Sequence, residues 1–162
     1  MRTIIFQIPG EAVPKKSAKF FRRGKIVGTY PHPSTAAYEK EVAKHALIAR
    51  VKFGKFTSKT TPLKLDIFVF RRKGLPTSKS KLQRALDFLL RPITTPDATN
   101  YAKSVEDGIK GVLMPDDGQV VDVRCRKYFA VQPRVIIVLQ AAVMSDLERR
   151  IIKDVIAFAE EK

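Results

Sequence analysis

Thr95-Pro-Asp-Ala-Thr-Asn-Tyr-Ala-Lys-Ser-Val-Glu-Asp-Gly-Ile-Lys-Gly-Val-Leu-Met-Pro-Asp-Asp-Gly-Gln-Val-Val-Asp122 is the stretch on which the rest of the chain turns. Residues 98–113 have helical periodicity. Tyr101, Val105, Ile109 and Val112 fall on a narrow arc of a helical wheel, with Asn100, Lys103, Asp107 and Lys110 opposite. Pro115-Asp-Asp-Gly118 reads as a turn. Gln119–Phe129 then alternates Val121, Val123 and Cys125 against Asp122, Arg124 and Arg126, a strand with one wet face. Helix, turn and strand thus carry Asp97, Glu106, Asp107, Asp116, Asp117 and Asp122 in one unit. A basic chain that gathers acids in one place is suited to hold a divalent cation against a polyanion.

The surroundings of that unit are strongly basic. The chain has 162 residues and a formal net charge of +15. All of the excess lies in residues 1–100, with 21 Lys/Arg against 6 Asp/Glu; residues 101–162 carry 10 of each. The N-terminal part is therefore the attractive surface for an anionic partner, and nucleic acid leads because phosphates dominate affinity for basic proteins. A membrane surface fits less well: there is no Trp, no basic amphipathic helix with a bulky aromatic face, and no apolar run near the roughly 20 residues that span a bilayer. The single cysteine, Cys125, reads as a core thiol on its strand. No secretory signal is evident, which points to the cytosol.

Working outward, residues 3–8 form a first strand closed by Pro9-Gly10. Pro14–Lys25 is a basic loop or mobile ribbon, followed by a short strand at Ile26–Tyr30. Pro33-Ser34 start a helix with Tyr38, Val42, Leu47 and Ala49 inward. Lys52–Thr61 is an exposed loop. Leu63–Phe70 is a strand with Leu63, Leu65, Ile67 and Val69 on one face. Ser80 and Gln83 have capping-box form, with Leu82, Leu86 and Leu89 marking the helical face that follows. Val135–Leu139 is a buried strand antiparallel to, and beside, Gln119–Phe129. Ser145 and Glu148 form a second capping box, starting a helix with Leu147, Ile151, Val155 and Phe158 inward. The order predicts one α+β domain over residues 1–162, a two-layer sandwich of a mixed or antiparallel sheet with helices on one face.

The chemistry of the acidic unit has two readings. Mg²⁺ takes one or two carboxylates and completes its shell with water and phosphate, which suits Asp97 and Asp117, with Lys103 to offset charge on phosphorus. Alternatively, Asp97 caps the helix, Asp116-Asp117-Gly118 is only a turn, and Lys103–Asp107 is a surface i,i+4 pair. The basic ribbon has the same ambiguity. Lys15, Lys16, Lys19, Arg22, Arg23 and Lys25 with Phe20 and Phe21 suit phosphate contact and stacking on bases. They equally suit a solvated loop whose phenylalanines pack between subunits.

Pro96-Asp97-Ala98-Thr99-Asn100, Lys103, Asp107-Gly108-Ile109 and Asp116-Asp117-Gly118-Gln119-Val120 resemble the signature of the RusA family of Holliday junction resolvases. That pattern runs Pro-Asp-x-Asp-Asn, Lys three residues on, an Asp-Ala-Leu-like stretch, and Asp-Asp-x-Gln-Val/Ile. Val13-Pro14-Lys15 with its basic segment and Tyr30-Pro31 before a helix resemble the family more loosely. The resemblance implies a RusA-like fold and a homodimer that cuts four-way or otherwise branched DNA symmetrically with Mg²⁺, Mn²⁺ being a substitute. It implies Asp97, Asp117, Lys103 and Asn100 as the catalytic group and Asp97, Asp117, Asp116 and Thr99 as the metal set. Lys15, Lys16, Lys19, Phe20, Arg22 and Arg23 fall to DNA contact. Thr99 departs from the pattern, standing where the family has a second aspartate. Two other readings accompany the nuclease: a junction-binding protein that does not cut, and a basic assembly protein of a ribosome or phage particle.

Overall fold

The structure, a computed structural model, describes residues 2–160. Its elements are β1 (Thr3–Pro9), β2 (Lys19–Arg23), β3 (Ile26–Tyr30), α1 (Pro33–Phe53), β4 (Leu63–Arg71), α2 (Lys79–Leu86), α3 (Ala98–Ile109), β5 (Val120–Phe129), β6 (Arg134–Ala141) and α4 (Asp146–Glu160). A four-stranded mixed sheet in the order β1-β6-β4-β5 forms one layer. β6 is antiparallel to both β1 and β4, whereas β5 runs parallel to β4. The architecture is the expected α+β arrangement.

The alternation of β4 dictates the core. Leu63, Leu65, Ile67 and Val69 are fully buried, and Ile4, Ile8, Val135, Ile137 and Leu139 continue that face on β1 and β6. α1 contributes Tyr38, Val42, Ala46 and Ala49, and α3 contributes Tyr101, Ala102, Val105 and Ile109. The two helices meet closely at Gly108, where an added Cβ would lie 2.6 Å from the Val42 side chain. The other sheet face carries an aromatic patch instead. Phe70 and Tyr128 stack at 5.4 Å, and Phe88 packs edge-on against Tyr128 at 5.5 Å. Arg91 lies 4.0 Å from the Tyr128 ring and Arg134 lies 4.6 Å from that of Phe70.

Several local expectations are corrected. β5 and β6 are not neighbours, because β4 lies between them. The short connector over residues 130–133 suffices for this, since crossing one intervening strand spans roughly 10 Å. Pro14–Lys25 is not a mobile ribbon throughout. The Lys15 amide donates to the Asn100 carbonyl at 2.8 Å, Ser104 Oγ donates to the Val13 carbonyl at 2.9 Å, and residues 19–30 form the β2–β3 hairpin. Leu47 is exposed and Ala46 takes the inward place on α1. Phe56 is buried within the supposedly exposed loop. α2 starts at Lys79 with Ser78 ahead of it, and Gln83 donates to Asp87 instead of closing a box; Leu89 is exposed. α3 ends at Ile109 because Gly111 adopts a left-handed conformation at φ 74°.

The Ser145–Glu148 box is formed. Glu148 Oε2 accepts from the Ser145 amide at 2.8 Å, and the Glu148 amide donates to Ser145 Oγ at 3.2 Å. The helix it starts is not packed as expected: Leu147, Ile151 and Val155 are exposed. The Phe158 side chain lies outside the described residues.

Candidate active site on α3 and the acidic turn

α3 is amphipathic, and its polar face meets the turn before β5. Gln119 fixes that turn. It is buried, its Nε2 donates to the Ser58 and Thr61 carbonyls at 2.8 and 3.1 Å, and its Oε1 accepts from the Asp116 amide at 3.3 Å. Asp116 and Asp117 are thereby presented to the second half of α3. Lys103 Nζ donates to Asp117 Oδ2 at 3.0 Å, and Lys110 Nζ to Asp117 Oδ1 at 2.8 Å. Lys110 also pairs with Asp116 at 2.9 Å, while Lys103 lies 3.4 Å from Asp107 and 3.9 Å from Glu106.

The network continues into the core edge. Lys15 Nζ donates to Asp107 Oδ2 at 2.7 Å and to Glu39 Oε1 at 2.6 Å. Signs alternate along Glu39, Lys15, Asp107, Lys103, Asp117, Lys110 and Asp116, which ties α1, the N-terminal segment, α3 and the turn together. Isolated exposed pairs are worth little, but a shared network fixes positions. Hydrogen bonds from Lys110 and Lys103 hold the Asp117 carboxyl well below the usual carboxylate range. Lys103 is raised, foremost by its bond to Asp117, and Lys110 likewise by Asp117 and Asp116. Glu106 shifts opposite to Asp117, because burial pushes its carboxyl up.

Asp97 stands apart from this group. It occupies the position before α3, and its side chain makes no capping hydrogen bond. A buried Arg71 holds the preceding segment through the Thr94 and Thr95 carbonyls at 3.3 and 3.1 Å. Lys127 Nζ adds bonds to the Thr94 and Pro96 carbonyls at 2.9 and 3.0 Å. β5 does run back past the start of α3, but Asp116 and Asp117 lie at its beginning, against the far half of the helix. Six residues of helix place Asp97 roughly 9 Å along the axis from Lys103, and Lys110 lies farther still.

Among the described residues no three acidic, histidine or cysteine side chains are placed to share an ion. The expected metal set of Asp97, Asp116, Asp117 and Thr99 is therefore not gathered. The smaller pair, Asp116 and Asp117, is. Two adjacent hard carboxylates meet the one or two that Mg²⁺ ordinarily takes. Thr99 and Asn100 are exposed on the first turn of α3, one turn before Lys103.

The basic residues divide. Lys15 is committed to Glu39 and Asp107 and is not offered to phosphate, a correction to its expected role. Lys19, Phe20, Arg22 and Arg23 are exposed on the β2–β3 hairpin, with Phe20 at 79%. Lys16 is exposed at the hairpin's base, where its amide donates to Thr35 Oγ1 at 3.2 Å. Because residues 13–16 are pinned to α3, the hairpin projects from beside Asn100. Sequence reasoning had not marked Lys110, Glu106 or Glu39 as site residues, nor Arg91 and Arg134 on the aromatic face. Lys110 was visible on the polar arc with Lys103, and Glu106 lies three residues from Lys103 in the acidic unit; Glu39, Arg91 and Arg134 depend on distant pairings.

A family model described as "Endodeoxyribonuclease RusA" matches residues 9–140. The chain belongs to the RusA endodeoxyribonuclease family. The RusA match runs from the last residue of β1 through all but the last residue of β6 and leaves α4 outside. The chain is also 32% identical over 142 residues to the uncharacterized protein YqaN of Bacillus subtilis (strain 168), across 86% of this chain and 97% of the relative. No helix among the described residues is long and apolar enough to cross a membrane.

Proposed function

We propose that this RusA-family chain is an endonuclease that resolves four-way DNA junctions, two copies cutting opposed strands. The observation that carries the proposal is the contact between Lys103 and Asp117, 3.0 Å apart within the motif shared with the family. The exposed hairpin supplies phosphate contacts through Lys16, Lys19, Arg22 and Arg23, and Phe20 supplies a ring to stack at the branch point. A pair of active sites related by a twofold matches the symmetry of a four-way junction.

Asp116 and Asp117 would hold a divalent cation, Mg²⁺ or Mn²⁺ by the family's chemistry. Such an ion, when bound, polarises the phosphodiester and lowers the pKa of an attacking water. Asp117 is ionised throughout the physiological range, as any ordinary aspartate is, and its lysines extend that ionisation to lower pH. Lys103, permanently charged, is placed to offset the negative charge that develops on phosphorus. The hairpin aligns the backbone beside the first turn of α3, where Asp97 and Asn100 are exposed and free to meet it.

A second reading has its own support. Thr99 carries no charge, and Asp97 is not gathered with the turn acids. A protein of this build would bind junctions and cut them slowly or not at all.

End-labelled four-way junctions incubated in Mg²⁺ test the proposal. Paired nicks that vanish in Asp117→Asn are expected. Cutting that persists in that variant would remove Asp117 from the site, and tight binding without cutting in Mg²⁺ or Mn²⁺ would favour the second reading.

A further inference from the structure

We infer that the aromatic face of the sheet is a second binding site, where Phe88 stacks on an unpaired base of a single DNA strand and Arg91 and Arg134 take the flanking phosphates. The site lies on the sheet face opposite α1 and α3. Its binding does not rest on the cutting proposed above.

Strand register builds the aromatic row. β4 and β5 run parallel with Phe68 opposite Arg126 and Phe70 opposite Tyr128. Alternation therefore sends Phe68, Phe70 and Tyr128 to the face that Leu65, Ile67 and Val69 do not use. Each of these rings already has a cation. Arg126 Cζ lies 5.1 Å from Phe68, Arg91 Cζ 4.0 Å from Tyr128 and Arg134 Cζ 4.6 Å from Phe70. Phe88 is the fourth ring, 6.5 Å from Phe70 and 5.5 Å from Tyr128. Among the described residues no cation lies over it, and it is 54% exposed.

The backbone holds that ring in place against its own preference. α2 closes in a Schellman motif: the Leu89 amide donates to the Arg84 carbonyl at 2.8 Å and the Phe88 amide to the Ala85 carbonyl at 3.2 Å. Phe88 takes the left-handed position, at φ 63°, that glycine ordinarily fills. It is the one non-glycine residue with a positive φ among the described residues. Strain of this kind collects at ligand sites. A glycine would close α2 more easily and leave the platform without its ring.

Charge and shape choose the occupant. Arg126 is neutralised by Asp66 at 2.9 Å, whereas Arg91 and Arg134 have no ion pair among the described residues. Each gives one donor to a backbone carbonyl, Arg91 to Lys127 at 2.7 Å and Arg134 to Gln132 at 3.3 Å, and keeps the rest of its guanidinium for phosphate. Asp87, the adjacent acid, is engaged by Gln83 at 2.9 Å. A second copy would bring the same two uncompensated arginines, so this face does not complement itself. Rings stack on bases whose faces are open, which a duplex does not offer. Membership of an endodeoxyribonuclease family makes DNA the strand at hand. The segment after Phe88 is pinned to β5 by Arg91 and by Lys127, and it leads to Asp97 at the start of α3.

Fluorescence anisotropy of the full chain in EDTA, with labelled oligothymidylate and an abasic strand of the same length, provides the test. The wild type is expected to hold the base-bearing strand about 10-fold more tightly. Phe88→Gly should abolish that preference with the sheet's circular dichroism retained, and Phe88→Tyr should keep it. Arg91→Ala should reduce the salt slope by about 1 for both strands. Equal binding of the two strands by the wild type overturns the inference. So does a preference that survives in Phe88→Gly, which would hand the stacking to Phe20 on the hairpin. A Phe88-dependent preference for oligouridylate over oligothymidylate, or for duplex over single strand, would overturn single-stranded DNA as the occupant. Binding in EDTA is read apart from cutting. A chain that leaves junctions uncut in Mg²⁺ yet shows the Phe88-dependent preference would sink the nuclease reading and leave this one standing.

Discussion

Lys103 and Asp117 meet at 3.0 Å across the gap between α3 and the turn that feeds β5. Lys110 grips the other oxygen of the same carboxylate at 2.8 Å. One acid is thus held by two lysines, one on α3 and one just past its end, and the turn cannot shift without losing both.

The acid limb of the stability curve should report this clamp. Asp117 has a folded pKa depressed below its ordinary value of 3.8, foremost by Lys110. A depressed carboxylate contributes stability that is complete above 3.8 and is lost as pH falls through the lower folded value. Denaturant titrations of wild type and Asp117→Asn should differ by a constant amount between about pH 5 and pH 8, and the difference should shrink below about pH 4. A gap that widened on acidification would contradict the clamp.

Lys110 occupies the electrostatic place that a cation would take. Lys110→Met should therefore tighten Mn²⁺ binding at Asp116 and Asp117 by about 10-fold, measured by calorimetry without DNA. Unchanged or weaker affinity would move the ion elsewhere.

Restoring the family acid at the first turn of α3 is a direct trial of the Thr99 departure. Thr99→Asp should raise junction cutting in Mg²⁺ while leaving junction affinity little changed. A variant that cuts no faster would show that the hydroxyl is not what limits the reaction.

Two basic residues near each other in sequence should behave oppositely. Lys15→Met strands Glu39, leaves Asp107 with Lys103 alone, and should cost about 1–3 kcal/mol of stability, with the salt dependence of DNA binding unaltered. Arg22→Ala should leave stability alone and reduce the salt slope by about 1. Equal salt slopes in the two variants would erase the distinction.

At the α1–α3 crossing, Gly108→Leu forces a side chain into Val42 and the Glu39 carbonyl. Overpacking of this kind costs about 1–3 kcal/mol, visible as a lowered urea midpoint. A neutral result would mean the helices separate freely.

The sheet core was legible in sequence because β4 alternates without interruption, and the Ser145 box because capping is a local matter. Strand order was not, since the Val121–Arg126 alternation says that a strand has one wet face but nothing of which neighbour it pairs with. The α3–turn–β5 unit was read correctly as helix, turn and strand, and its lysine was picked out. Its internal geometry was misjudged, because the acids sit at opposite ends of a helix whose length separates them. Lys15 looked like a phosphate contact for the same reason that Glu39 was overlooked: their pairing joins segments 24 residues apart. Phe56 hid in a polar stretch because its burial depends on Leu113, whose carbonyl accepts from its amide at 2.8 Å.

The placement of β6 between β1 and β4 bears on synthesis. Until residues 134–141 leave the ribosome, β1 and β4 have no partner along the edges that β6 will zip together. β5 can align on β4 earlier, but the slab it joins stays split. A nascent chain stalled before Arg134 would carry two unpaired hydrophobic borders, an invitation to aggregate. Maturation of the acidic clamp is thereby tied to completion of nearly the whole polypeptide, and a truncated product would carry the motif without a sealed sheet beneath it.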